Sequence, residues 1–165
     1  MKHIISALVE NQPSVLARVI GLISGRGYNI HSLNVAPTQD PAISRITMVV
    51  PGNDRILEQV TKQLNKLVDV IKVHDLTTGK FLDRELALVK ILTTPRNRSA
   101  VIELASLFHA NIVRVEGKSL TIEMVGSKDE VDNFLDLVKT NGVLDLSRTG
   151  VIAIGTSNNV SVNGS

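Results

Sequence analysis

The apolar residues of this chain run twice through the same order: strand, helix, two strands, helix, strand. In the first pass, Ile4 to Val9 is a short apolar run bounded by charge and reads as a buried central strand. Val15, Leu16, Val19, Ile20 and Ile23 then recur at helical spacing, which predicts a helix from about Ser14 to Arg26. Asn29 to Ala36 alternates, with Leu33 and Val35 on one side and Ser32 and Asn34 on the other. A turn from Pro37 to Pro41 leads to a strand from Ile43 to Val50, closed by Pro51 and Gly52. Asn53 or Asp54 caps a second helix with Ile56, Leu57, Val60, Leu64 and Leu67 on its core face. Val68 to Leu76, rich in β-branched residues, completes the unit.

The second pass begins after a turn at Thr78, Gly79 and Lys80. It comprises a strand from Glu85 to Leu92, a polar loop from Thr93 to Arg98 and a helix from Ser99 to Phe108. A hairpin of Ile112 to Val115 and Ser119 to Val125 follows, around Glu116, Gly117 and Lys118. Ser127 and Glu130 form an S-x-x-E capping box ahead of Val131, Phe134, Leu135 and Val138 at i, i+3, i+4 and i+7. Val143 to Ser147 is the last strand of the pattern, and Val151 to Ile154 is an apolar remnant. The repeat lies in element order, with little identity between the halves. The expected fold is α+β, two tandem ferredoxin-like βαββαβ domains. Residues 1–77 form the first domain, 78–83 the linker, 84–156 the second domain and 157–165 a flexible tail.

In this arrangement the second strand stands at a sheet edge, which must be covered or paired. Asn29 to Ala36 has no internal proline or lysine to blunt it, so it is expected to pair with a second copy of the chain about a two-fold axis.

Bulk properties narrow the function. The chain has 165 residues, is 43% hydrophobic and 21% charged, and so is built to pack a core. A net charge of +2 does not argue for a nucleic-acid or membrane partner. With no cysteine, disulfides, thiolate metal sites and cysteine nucleophiles are excluded, and a reducing, cytoplasmic location is expected. The N-terminus lacks a signal-peptide layout, and no apolar run reaches the length of a membrane span.

Catalytic constellations are missing: there is no G-x-S-x-G, no Walker A lysine and no H-E-x-x-H. Gly21, Gly25 and Gly27 do not form a dinucleotide fingerprint and serve packing and a helix stop. His3, His31, His74 and His109 are scattered over separate elements, so no metal site is expected. Asp132 and Asp136, four apart on a helix, read as a solvated face. RNA recognition on such a sheet needs aromatics on its strands, and the predicted strand interiors carry none. Arg96, Arg98 and Arg114 make at most a modest basic patch.

What remains is the two ends of the first helix. Pro13 suits its first turn, Asn11 precedes it as a possible cap, and a loop rich in backbone donors at a helix N-terminus attracts a carboxylate. Past the helix, Asn29 offers a neutral donor and acceptor.

These segments carry a resemblance. Leu16, Arg18, Val19, Gly21 and Leu22, then Arg26 to Ile30, then Ser32, Leu33, Val35 and Ala36 resemble the signature of the regulatory small subunits of acetolactate synthase (acetohydroxyacid synthase). Ser44-Arg45, Leu57 to Gln59, Lys62 to Leu64, Lys66 to Val70, then Glu85, Leu86, Leu88, Val89 and Lys90, and Arg148, Gly150 and Val151 are also similar to that family. The resemblance implies that the first domain is an ACT domain, a ligand-binding version of the βαββαβ fold. It implies a subunit with no catalytic site and no cofactor of its own. Such a subunit binds and activates a catalytic large subunit that carries thiamine diphosphate, magnesium and FAD, and makes it sensitive to valine or a related branched-chain amino acid.

By the same resemblance, the effector lies between two ACT domains of a homodimer. Asn11, Gln12, Ser14, Val15 and Leu16 of one chain would face Asn29 and Ile30 of the other. Backbone N–H groups at Ser14, Val15 and Leu16 would hold the carboxylate, Asn11 and Asn29 would meet the ammonium and carboxylate, and Ile30 and Leu16 would bound the aliphatic side chain. The family pattern has glycine where this chain has Ser14, whose side chain either crowds the ligand or adds a donor. An alternative reading is a free-standing ACT-domain amino-acid sensor that controls another enzyme or a transcription factor.

Overall fold

In the computed structural model, which describes residues 1–156, the chain divides into two compact units. The first holds Met1–Leu82 and the described residues from Val151 onward; the second holds Asp83–Gly150.

The first unit is built on β1 (Lys2–Glu10), paired antiparallel on both sides. The chain continues through α1 (Val15–Gly25), β2 (Ser32–Pro37), β3 (Ile43–Pro51), α2 (Asp54–Asn65) and β4 (Val70–Asp75). The sheet order is β2-β3-β1-β4, which places β2 at an edge, as expected. Alternate residues of β1 point to the helices, so Ile5, Ala7 and Val9 join Val15, Val19 and Ile23 of α1 and Val60 and Leu64 of α2 in one core. Asn53 caps α2, its side chain accepting from the Ile56 N–H at 3.0 Å.

The second unit repeats the plan with β5 (Phe81–Leu92) at its centre, then α3 (Arg98–Leu107), β6 (Asn111–Val115), β7 (Ser119–Gly126), α4 (Lys128–Val138) and β8 (Val143–Arg148). Its sheet order is β6-β7-β5-β8. Ala87, Val89 and Ile91 of β5 pack with Val101, Ala105, Val131, Phe134 and Val138 from the two helices. The capping box is formed: Ser127 Oγ accepts from the Glu130 N–H, and the Glu130 carboxylate accepts from the Ser127 N–H.

Several boundaries differ from the sequence expectation. The fourth strand, expected from Val68 to Leu76, spans Val70–Asp75; Val68 is exposed, and Leu76 opens a short 3-10 helix. The strand expected from Asn29 begins only at Ser32, because the chain is still reversing: Gly27 has φ +75°, and the Tyr28 N–H turns back to Ile23 O. Phe81 to Asp83, expected in the linker, are the first residues of β5. They stay extended because Phe81 packs on a cluster of Ile4, Val49, Val151 and Ala153; as the aromatic this brings into a strand, Phe81 is partly buried and no stacking platform. The apolar remnant forms β9 (Ile152–Gly155), which pairs with β5, the Thr156 N–H donating to Lys80 O just ahead of that strand. Val151 and Ala153 are buried with Ile4 and Val49 of the first unit, although they follow the second in sequence. The tail expected at 157–165 lies outside the described residues.

Asp132, expected on a solvated face, is tied down: it accepts from Lys128 and, at 2.7 Å, from Arg148, which also forks onto the buried Glu85. Burial pushes the Asp132 carboxyl up, but hydrogen bonds from Lys128 and Arg148 outweigh it and hold the group below its ordinary value. A carboxyl lowered in the folded state contributes stability above its unfolded pKa of about 3.9 and loses it as pH falls through the folded value. Thermal unfolding followed from pH 7 to pH 3 should therefore show Asp132→Asn less stable than the unaltered chain at pH 7. The difference should shrink on the acid side.

Candidate functional site

The loop between β1 and α1 leaves the sheet at Glu10, where three backbone groups hold it. The Glu10 N–H donates to Asp69 O at 2.9 Å, the Asn11 N–H to Ala42 O at 2.8 Å, and the Gln12 N–H to Glu10 O at 3.0 Å. The Asn11 side chain does not cap α1. Its Nδ2 donates to Pro41 O at 2.9 Å, which ties the loop to the turn ahead of β3. The short amide reaches that carbonyl because β1 and β3 are paired out to Glu10 and Ile43.

Ser14 occupies the N-cap position with φ 70°, ψ −4°, a left-handed conformation, and its side chain makes no capping hydrogen bond. A side chain at such an angle costs about 1–2 kcal/mol, and glycine does not bear this cost. A glycine at this position, which the resemblance implies for the family, would have a conformational reason.

The first N–H groups of a helix have no intrahelical acceptor. Here the Val15 N–H reaches Gln12 O at 3.4 Å, and the Arg18 N–H closes the first full turn onto Ser14 O at 3.0 Å. The N–H groups of Ser14, Leu16 and Ala17 meet no acceptor among the described residues. The donor set therefore differs from the expected Ser14, Val15 and Leu16: Val15 is engaged by Gln12, and Ala17 is added. The first-turn rule alone would have found Ala17. Asn11, Gln12 and Ser14 are exposed, Leu16 is half-buried, and Val15 is buried as part of the core.

At the far end of α1, Asn29 is exposed and Ile30 is half-buried against the core of the first unit. Tyr28 beside them donates its hydroxyl to Gln59 of α2, which fixes this turn from below. Eleven residues of α1, at roughly 16 Å of rise, separate the two groups of residues. Within one chain they cannot line a single small-molecule site.

Other sequence candidates fall away from ligand chemistry. Arg98 turns inward and donates to Thr93 Oγ1, Glu116 O and Gly117 O, while Arg114 pairs with Glu116 at 3.0 Å. Among the described residues no group of three or more His, Asp or Glu side chains is placed to hold a metal ion. No helix there is long and apolar enough to cross a membrane.

Comparison with known proteins places these segments in context. Residues 5–72 match the family model of the AHAS small subunit-like ACT domain, and residues 84–157 match that of the small subunit of acetolactate synthase. The chain is 46% identical to a probable acetolactate synthase small subunit of Archaeoglobus fulgidus, over 96% of this chain and 99% of that one. It is 40% identical to the acetolactate synthase isozyme 3 small subunit of Salmonella typhimurium, over 97% and 99%. The crystal structure of the acetolactate synthase small subunit from Thermotoga maritima superposes with a TM-score of 0.85 at 33% identity, covering 96% of this chain and 99% of that one.

The strain at Ser14 is directly testable. Ser14→Gly removes it without losing a cap hydrogen bond, and should raise the stability of the chain by about 1 kcal/mol, or about 2–4 °C in thermal midpoint. A fold of two ferredoxin-like units, the first with an ACT domain's edge strand and open helix terminus, agrees with sequence identity over nearly the full length: the chain belongs to the family of acetolactate synthase small subunits.

Proposed function

We propose that this protein is the regulatory subunit of an acetolactate synthase, without a catalytic site of its own, and that it senses valine or a related branched-chain amino acid. In this reading it activates the cytoplasmic catalytic large subunit and carries feedback inhibition to it in branched-chain amino acid biosynthesis. Thiamine diphosphate, magnesium and FAD belong to that large subunit, and this chain holds no cofactor.

One observation carries the effector site: two groups of ligand-competent residues stand at opposite ends of α1, beside a sheet edge that no other strand of this chain covers among the described residues. Antiparallel pairing of β2 with β2 of a second copy brings the start of one strand beside the end of the other. The start of β2 follows Asn29 and Ile30. Its end, Pro37, lies across from Ser44, which in turn faces Val9 at the loop end of β1. A two-fold axis on this edge therefore draws each chain's Asn29 and Ile30 toward its partner's Asn11–Leu16 loop. Two such sites arise per dimer.

The chemistry suits a small amino acid. Free N–H groups at Ser14, Leu16 and Ala17, at the positive end of α1, favour a carboxylate. The Asn29 amide offers an acceptor for the ammonium, and Leu16 and Ile30 give an apolar boundary for a branched side chain.

A ligand that binds only the folded state at a hundred times its dissociation constant adds about 2.7 kcal/mol. Valine, leucine or isoleucine at that level should raise the thermal midpoint of the purified chain, and Asn29→Ala should lose the response. With the large subunit reconstituted, Asn29→Ala should still activate catalysis while inhibition by valine disappears. Loss of activation together with inhibition would assign Asn29 to the fold instead.

A further inference from the structure

The β1–α1 loop is gripped at both ends by one residue, Asp69. Its backbone carbonyl accepts from the Glu10 N–H at 2.9 Å, at the point where the loop leaves β1. Its carboxylate accepts from Arg18 in the first turn of α1, from Nε at 2.9 Å and from the terminal nitrogen at 2.5 Å. The Arg18 backbone N–H in turn closes the first full turn on Ser14 O. Asp69 sits just ahead of β4, where its neighbour Val70 pairs with Val9.

On the other side, the Asn11 bonds to Pro41 and Ala42 fix the start of the loop. They do not reach α1, whose apolar face is packed through Val15, Val19 and Ile23; among the described residues only the side chain of Arg18 supplies a polar tie from its first turn to the segment ahead of β4. A residue in the left-handed region, such as Ser14, persists only where its surroundings over-determine it.

We infer that Arg18 and Asp69 are a positioning pair for the effector site, holding the first turn of α1 so that the free N–H groups of Ser14, Leu16 and Ala17 converge on one carboxylate. This rests on the reading of that loop as an amino-acid site. Neither side chain touches the ligand; the pair acts through the angle at which α1 leaves Ser14. Two charge-assisted contacts from Arg18 onto the same Asp69 oxygen, Oδ2, restrict orientation more than a single bond does. Arg18 is half-exposed, so the pair contributes little to global stability, and its effect should show in affinity rather than in folding.

The test is calorimetric titration of the full chain with valine, leucine and isoleucine, together with its thermal midpoint without ligand. Asp69→Asn keeps the backbone carbonyl and the shape but weakens the tie. It should raise the half-saturating amino-acid concentration by about fivefold while the midpoint without ligand moves little. Arg18→Lys, which keeps the charge and loses the fork, should give a smaller increase in the same direction, and serves if Asp69→Asn does not fold. Glu85→Gln, which weakens the more buried two-oxygen pairing with Arg148 in the second unit, should lower the midpoint and leave half-saturation unchanged. Half-saturation unaltered in Asp69→Asn or Arg18→Lys would overturn the positioning role alone. An equal loss of affinity in Glu85→Gln would also overturn it, by reducing the effect to general stability. No response of the unaltered chain to any of the three amino acids would overturn the site itself, and the pair's role with it.

Discussion

Both units depend on one central strand paired along both edges. β1 exchanges backbone bonds with β3 from Lys2 to Glu10 and with β4 from Ile5 to Val9, and β5 does the same with β7 and β8. A strand bonded on both sides leaves its side chains as its only contribution to the core, so each alternate residue matters. Ile5, Ala7 and Val9 face the helices in one unit, and Ala87, Val89 and Ile91 in the other, all nearly or wholly buried. The small alanine in each set lets a helix approach the sheet closely.

Where the units differ is the loop that follows the central strand. In the second unit the loop satisfies itself: Asn97 Oδ1 accepts from the Thr94 N–H, Asn97 Nδ2 donates to Leu92 O, and Arg98 reaches three oxygens of the neighbouring strand and turn. In the first unit the loop side chain Asn11 points away from α1 to Pro41, and Arg18 reaches only the Asp69 carboxylate. Both helices start with N–H groups that meet no acceptor among the described residues, Leu16 and Ala17 in α1 and Ser99 and Ala100 in α3; what differs is the side chains that fill the loop ahead of α3. The same topology thus carries an open loop ahead of the helix in one copy and a loop filled by its own side chains in the other.

Ser14 shows how local conformation and chemistry become linked. The loop must reverse direction within the few residues between Glu10 and Val15, and the backbone does so through a left-handed residue. Where the family pattern has glycine, this chain bears a Cβ and a hydroxyl in the same conformation.

Much of this was legible in the residues. Apolar spacing located the four strands and two α-helices of each βαββαβ repeat, because burial on one face imposes a period of two or 3.6 wherever the element is long enough. Asn53 and the Ser127–Glu130 box were readable as caps, because the groups they satisfy are neighbours in sequence. The same local rules misplaced Asn11: its preferred partner is Pro41, thirty positions away, and only the pairing of β1 with β3 brings that carbonyl within reach. They also missed the grip of Asp69 on Glu10 and Arg18, and the return of Val151 and Ala153 to Ile4 and Val49. Sequence alone determined the order of the elements, the faces they bury and the two segments proposed to meet an amino acid. Tertiary structure decided which donors stay free and which side chains hold the loop, because those depend on contacts between residues far apart in the chain.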